Sequence, residues 1–163
     1  MLKIALTNLE KYNEGDLVFE WVDLPCDDFT GVLDRIGNPE EYFISDYECE
    51  IPHVVVHEYD NLERLNKLAE ELENLASYHV KALIAIMETD CLDVADALEI
   101  IRNDRFFYYE TDSFDDFIDM AIENGALGYI PDSAKEFLDY KKLRDYFEHT
   151  GHTMTSTGVI YTD

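Results

Sequence analysis

Five histidines and 37 carboxylates are the side chains in this sequence that could do chemistry, and their spacing decides which chemistry to expect. In "HVVVH", His53 and His57 share a face if the segment is a strand, and His149 and His152 form a second pair. Neither pair has a Cys or carboxylate at a recognised ligand spacing, so no metal is expected. Neighbouring acids such as Asp27/Asp28 and Asp115/Asp116 are of the right type for proton transfer. With 37 acids in the chain such pairs arise by chance, and a glycosidase would need a shaped cleft around them. "GALG" at 125–128 lacks the Lys-Ser/Thr of a phosphate loop and stops a helix rather than starting one. No G-x-S-x-G, H-E-x-x-H or Cys–His signature is present. The reading is a protein that is not an enzyme, with no catalytic residue and no cofactor.

One arrangement of carboxylates is unusual. In "TDSFDDFIDMAIE" (111–123), Thr111 or Ser113 can cap a helix whose apolar face is Phe114, Phe117, Ile118, Ala121 and Ile122. Asp115, Asp116, Asp119 and Glu123 then fall on the other face. Asp115, Asp119 and Glu123 repeat at i, i+4, i+8, about 6 Å apart along the axis. Like charges at that spacing destabilise a helix, and no Lys or Arg interrupts the run.

The elements that hold these residues follow from periodicity. Residues 2–7 and 17–24 have strand character, joined by the polar turn "NLEKYNEGD". "CDDFTGVLDRIG" has helical spacing with Asp27 or Asp28 near its start and Gly37 as a stop, and "EEYFISDYECEIP" returns to strand. "NLERLNKLAEELENLA" carries Leu62, Leu65, Leu68, Leu72 and Leu75 on one stripe, capped by Asn61; "YHVKALIAIME" and "LDVADALEIIRN" are two further helices. "RFFYYE" is a strand, and the acidic helix after it ends at Asn124-Gly125. Residues 131–151 form one helix or two, with Pro131 in a first turn, and "HTMTSTGVIYTD" is a short hairpin. The predicted class is α+β, in three segments: a small sheet with a helix over 1–60, a helical bundle over 61–103 and a mixed α/β segment over 104–163. Units this small are marginal alone, so packing on one another or dimerisation is expected.

Composition gives the strongest constraint. The chain has 163 residues, 37 acids and 12 bases, a net charge of −25. It also has eleven Tyr and nine Phe, so it folds around a core rather than behaving as a disordered acidic tail. The acids are spread along the chain: net −12 over 1–60, −5 over 61–103 and −8 over 104–163. Such an excess costs stability through self-repulsion. A salt-adapted host, in which surface acids keep proteins hydrated, or a basic partner would account for it. Direct binding of nucleic acid is excluded by charge, because the one basic cluster, Lys135, Lys141, Lys142 and Arg144, lies among Glu136, Asp139 and Asp145. No signal peptide and no membrane span are expected, and Cys26, Cys49 and Cys91 lack a C-x-x-C, as in a cytoplasmic protein with reduced thiols. Duplex DNA carries one charge per about 1.7 Å of axis, so 25 charges match about 42 Å, or about twelve base pairs.

Three stretches bring these readings together. "KYNEGDLVFEWVDLP" (11–25), "EEYFISDYECEIP" (40–52) and "AIENGALGYIPDSAKEFLDY" (121–140) resemble the ArdA antirestriction proteins of plasmids and conjugative transposons. Tyr12-Asn13-x-Gly15, Trp21-x-Asp23-Leu24, and Asp46-Tyr47-Glu48 with Ile51-Pro52 follow that family's N-terminal pattern, although Phe19 stands where the family often has Gly. Gly125 to Gly128 sit in the stretch called its antirestriction motif. The resemblance implies an elongated homodimer of three-domain chains that imitates bent B-DNA and occupies the DNA-binding groove of type I restriction–modification enzymes. It implies phosphate-mimic roles for helix-surface acids, assigned here to Asp27, Asp28, Asp34, Glu70, Glu71, Glu73, Asp112, Asp115, Asp116, Asp119 and Glu123. Gly125, Ala126, Leu127, Gly128 and Tyr129 are assigned to shape and dimerisation. The alternatives are an acidic protein that binds another basic host factor, and an acidic-surfaced enzyme from a salt-adapted host.

Overall fold

A computed structural model describes residues 1–163, including every side chain but that of Asp90. The described residues form eight helices and two three-stranded antiparallel sheets. Contacts divide the chain into two compact units, 1–76 and 77–163.

The first unit contains β1 (Leu2–Asn8), α1 (Leu9–Glu14), β2 (Phe19–Leu24), α2 (Phe29–Arg35), β3 (Tyr42–Cys49) and α3 (Leu62–Asn74). The sheet order is β2-β1-β3. β1 is central because it is apolar nearly throughout, and Leu2, Ile4 and Leu6 point to one face with no exposure. Val22, Leu24 and Ile44 extend that face, and Val32, Ile36, Leu62, Leu65 and Ala69 cover it. The Leu stripe of α3 therefore closes the core of the first sheet. The helices expected together over 61–103 are divided between the units, with α3 in the first.

Two local features depart from the sequence reading. The polar turn after β1 is a helix, α1. Asn8, 2% exposed, caps it by accepting from the Lys11 amide at 2.9 Å. The same side chain donates to the Ile36 carbonyl at 2.9 Å, which ties the start of α1 to the end of α2. Gly15, at φ 91°, ends the helix in the left-handed conformation. The second departure is "HVVVH", which is not a strand; His53 takes φ 68° and the segment runs as turns and irregular chain. His53 and His57 thus lack the shared strand face that a ligand pair would need.

The second unit contains α4 (Ser77–Asp90), α5 (Val94–Arg102), β4 (Phe106–Tyr109), α6 (Phe114–Glu123), α7 (Asp132–Lys135), α8 (Tyr140–His149), β5 (Thr153–Met154) and β6 (Val159–Thr162). Its sheet order is β4-β6-β5, so the expected C-terminal hairpin is present and also pairs with β4. Residues 131–151 hold two helices, with Pro131 at the N-cap of the first. Hydrogen bonds from Tyr78 to the Tyr108 carbonyl (3.1 Å) and from Thr157 to the Lys81 carbonyl (2.9 Å) fix α4 to this sheet. Phe114, Phe117, Ile118, Ala121, Ile122, Phe147 and Val159 form one core between α6, α8 and β6.

Candidate partner-binding surface

The acidic helix α6 is built as its sequence dictates. Ser113 caps it by accepting from the Asp116 amide at 3.1 Å, and the five apolar residues named above are all buried. Asp115, Asp116, Asp119 and Glu123 are all exposed. The row is not bare, however. Arg144 of α8 donates to Asp115 at 2.9 Å and lies 5.5 Å from the Phe114 ring centre. The Tyr140 hydroxyl donates to Asp119, and that hydrogen bond, followed by burial, holds the phenol pKa above its ordinary value. Repulsion along α6 is thus relieved by a neighbouring helix, a long-range contact with no local sequence signal. Lys135 is drawn first to Asp132 by a hydrogen bond at 2.9 Å, with Glu123 and Asp119 adding weaker fields that keep it charged.

The other assigned acids lie as follows. Asp27 is exposed before α2, and Asp28 caps α2 by accepting from the Gly31 amide at 2.8 Å. Asp34 is exposed on α2, while Glu70 and Glu73 are exposed on α3. Glu71 is half-buried and engaged. α2 and α3 share one core, which brings these two groups of acids onto one unit. Asp112 is exposed in the connection from β4 to α6.

The Gly125–Tyr129 stretch is a helix stop followed by a tight turn. Gly125 and Gly128 take φ 77° and 78°, and the Gly128 amide donates to the Gly125 carbonyl at 2.9 Å. A Cβ at either position would meet nothing within 4 Å, so the demand for glycine is conformational rather than steric. Leu127 packs on the α6–α8 core, Ala126 is exposed, and Tyr129 is 90% exposed.

The bases do little to offset the acids, because most are already used internally. Lys3 pairs with Asp23, Lys11 with Glu14, Arg35 with Glu20, Lys81 with Glu110, and Lys142 with Asp139. The Glu20 carboxylate takes Nε at 3.0 and 2.9 Å and Nη2 at 2.8 Å from Arg35, and this hydrogen bonding holds its pKa below the usual range. What remains is an unneutralised surplus on both units: 19 acids against 5 bases over 1–76, and 18 against 7 over 77–163. Among the described residues no group of His, Cys, Asp and Glu is placed to hold a metal ion, and no helix is long and apolar enough to cross a membrane.

The structure also reveals polar and aromatic residues that a search of helix surfaces passes over. Phe19, Trp21 and Asp23 of β2 alternate onto the open side of the first sheet, beside Asp46 and Glu48 of β3. The period-two pattern of "FEWVD" carried that signal.

A family described as antirestriction protein (ArdA) matches residues 4–161, nearly the whole chain. No curated protein matches it.

Proposed function

The chain belongs to the ArdA antirestriction family, and from that premise we propose that it inhibits type I restriction–modification enzymes by presenting a folded acidic surface to their DNA-binding groove. The observation that carries this reading is the charge surplus of both units, held on helices and strands whose opposite faces are buried. A duplex is bound mainly through its phosphates. A rigid body with exposed carboxylates competes for the same Lys and Arg without the ordering entropy that a disordered acidic chain must lose on binding. No bond is made or broken by the inhibitor. The acids of α2, α3 and α6 act as phosphate mimics, and the Gly125–Tyr129 turn joins two copies into a homodimer. The exposure of Tyr129, 90%, fits a residue that a second chain covers.

Fluorescent DNA bound to a purified type I methyltransferase tests the reading. The protein is expected to release the DNA at stoichiometric concentrations, and methylation should fall in parallel. Retention of the DNA at a large excess of protein refutes the proposal. Sedimentation of the intact chain at twice its 19.0 kDa mass checks the dimer.

A further inference from the structure

The open side of the first sheet has an order that the acid-helix reading does not use. Strand register places three rows of directly opposed residues on it: Asp23–Lys3–Glu48, Trp21–Ala5–Asp46, and Phe19–Thr7–Phe43; Ala5, Thr7 and Phe43 are covered, at 2%, 0% and 9% exposure, and the other flanking residues of β2 and β3 are the exposed ones. The opposite side is the buried core. Trp21 is 40% and Phe19 43% exposed, large apolar areas for residues whose strand neighbours Val22 and Leu24 are 5% and 2% exposed. Tyr12 of α1 packs edge-on to Phe43 with ring centres 5.3 Å apart, so the aromatic rows continue onto α1. Lys3, the central cation, is taken by Asp23 at 3.2 Å. Asp46 accepts from the Tyr47 amide through Oδ1 at 2.8 Å, and both Asp46 and Glu48 are exposed, so an external cation can reach them. Trp21 and Asp46 flank Ala5 on either side, two strand spacings apart, about 10 Å between backbones.

We infer that this sheet face is a docking site for guanidinium groups of a basic partner protein, with an Arg lying between the Trp21 ring and the Asp46 carboxylate. An Arg side chain is planar, weakly hydrated and stacks on aromatic faces while its nitrogens bond a carboxylate; a Lys has only the charge. A second copy of the same face does not suit it, since Asp23, Asp46 and Glu48 would be set against their own counterparts. The inference rests on the groove reading for the identity of the partner and on the sheet alone for its chemistry. It divides the work of binding: dispersed acids set the encounter rate, and an aromatic anchor slows dissociation.

Trp21 is the sole tryptophan, so 5-fluorotryptophan incorporation gives one fluorine resonance at the proposed site. Intact protein is titrated with octa-arginine and with octa-lysine. The resonance is expected to saturate with octa-arginine at a concentration at least about threefold lower than with octa-lysine. Equal responses to the two peptides overturn the inference, because the face then reads charge alone.

The second arm is DNA displacement from the type I enzyme. Phe19→Ala with Trp21→Ala, checked for folding by its melt, should weaken displacement at least about tenfold and leave the salt slope unchanged, because no charge is removed. Trp21→Phe, which keeps a ring, should retain most of the activity. Unchanged displacement by the folded double variant overturns the anchor. If wild-type protein prefers octa-arginine yet never displaces DNA, the groove reading falls and the guanidinium site stands.

Discussion

Asp116 and Asp119 are both exposed on α6, but Asp119 accepts a hydrogen bond from Tyr140. Exposed ion pairs are worth about 0–1 kcal/mol. Asp116→Asn and Asp119→Asn should therefore each weaken DNA displacement by less than about fivefold. Neutralising Asp115, Asp116, Asp119 and Glu123 together should weaken it more and flatten its dependence on salt. If one folded single variant alone abolishes displacement, a discrete site replaces the distributed surface. His152 behaves differently because it is half-buried among rings. Its ring lies 5.3 Å from Phe117, 5.2 Å from Phe147 and 5.1 Å from Tyr161, stacked on the last. Burial lowers its pKa below 6.5, opposed by a backbone hydrogen bond at Phe147. The unfolded chain then binds the proton more readily, so this residue's contribution is complete above about pH 6.5 and is lost as pH falls below it. Melts of wild type and His152→Gln should lose the wild type's advantage between pH 7.5 and 5.5. An unchanged difference across that range would mean that His152 is not desolvated in solution.

Amphipathic periods were enough to foresee α2, α3, α5 and α6, and among the caps the sequence offered, Asp28, Asn61 and Ser113 each accept from their own first turn; Asp93 caps α5 in the same way. α1 was not foreseen, since its six residues bury none of their side chains and it is held by Asn8 through a contact 28 residues away. The placement of α3 against the first sheet was equally hidden; a Leu stripe declares an apolar face but not its partner. The acids of α6 were legible one by one, whereas their partners Arg144 and Tyr140 come from another helix. The sheet-face aromatics were visible as alternation, but which residues stand opposite them follows only from strand register. The Gly125–Gly128 turn was legible as a stop, and its geometry gives it a magnitude. An L-residue forced into the left-handed region costs about 1–2 kcal/mol, so Gly125→Ala and Gly128→Ala should each lower stability by about that much in urea melts. Gly125→Asn should cost less, because Asn tolerates that conformation. An Ala variant as stable as wild type would show that the turn relaxes.

For the molecule as a whole, the surplus charge repels itself within each unit, and added salt screens it over a Debye length of about 10 Å at 0.1 M. Thermal melts are therefore expected to rise between low and moderate NaCl; a flat or falling midpoint would remove self-repulsion as a significant cost. The first sheet carries a further consequence. Both β2 and β3 are edge strands, and edges of this kind can template another strand, although the Ile44 amide of β3 already donates to the Glu58 carbonyl at 2.8 Å. Glu20 and Asp23 of β2 are paired with Arg35 and Lys3, whereas Asp46 and Glu48 of β3 are exposed, and an incoming copy meets like charge at β3. The exposed carboxylates of β3 thus guard colloidal stability as well. Shelf life and melting temperature should consequently respond to salt in opposite directions: the ions that tighten each fold also lower the barrier that keeps neighbouring sheets from joining into fibrils.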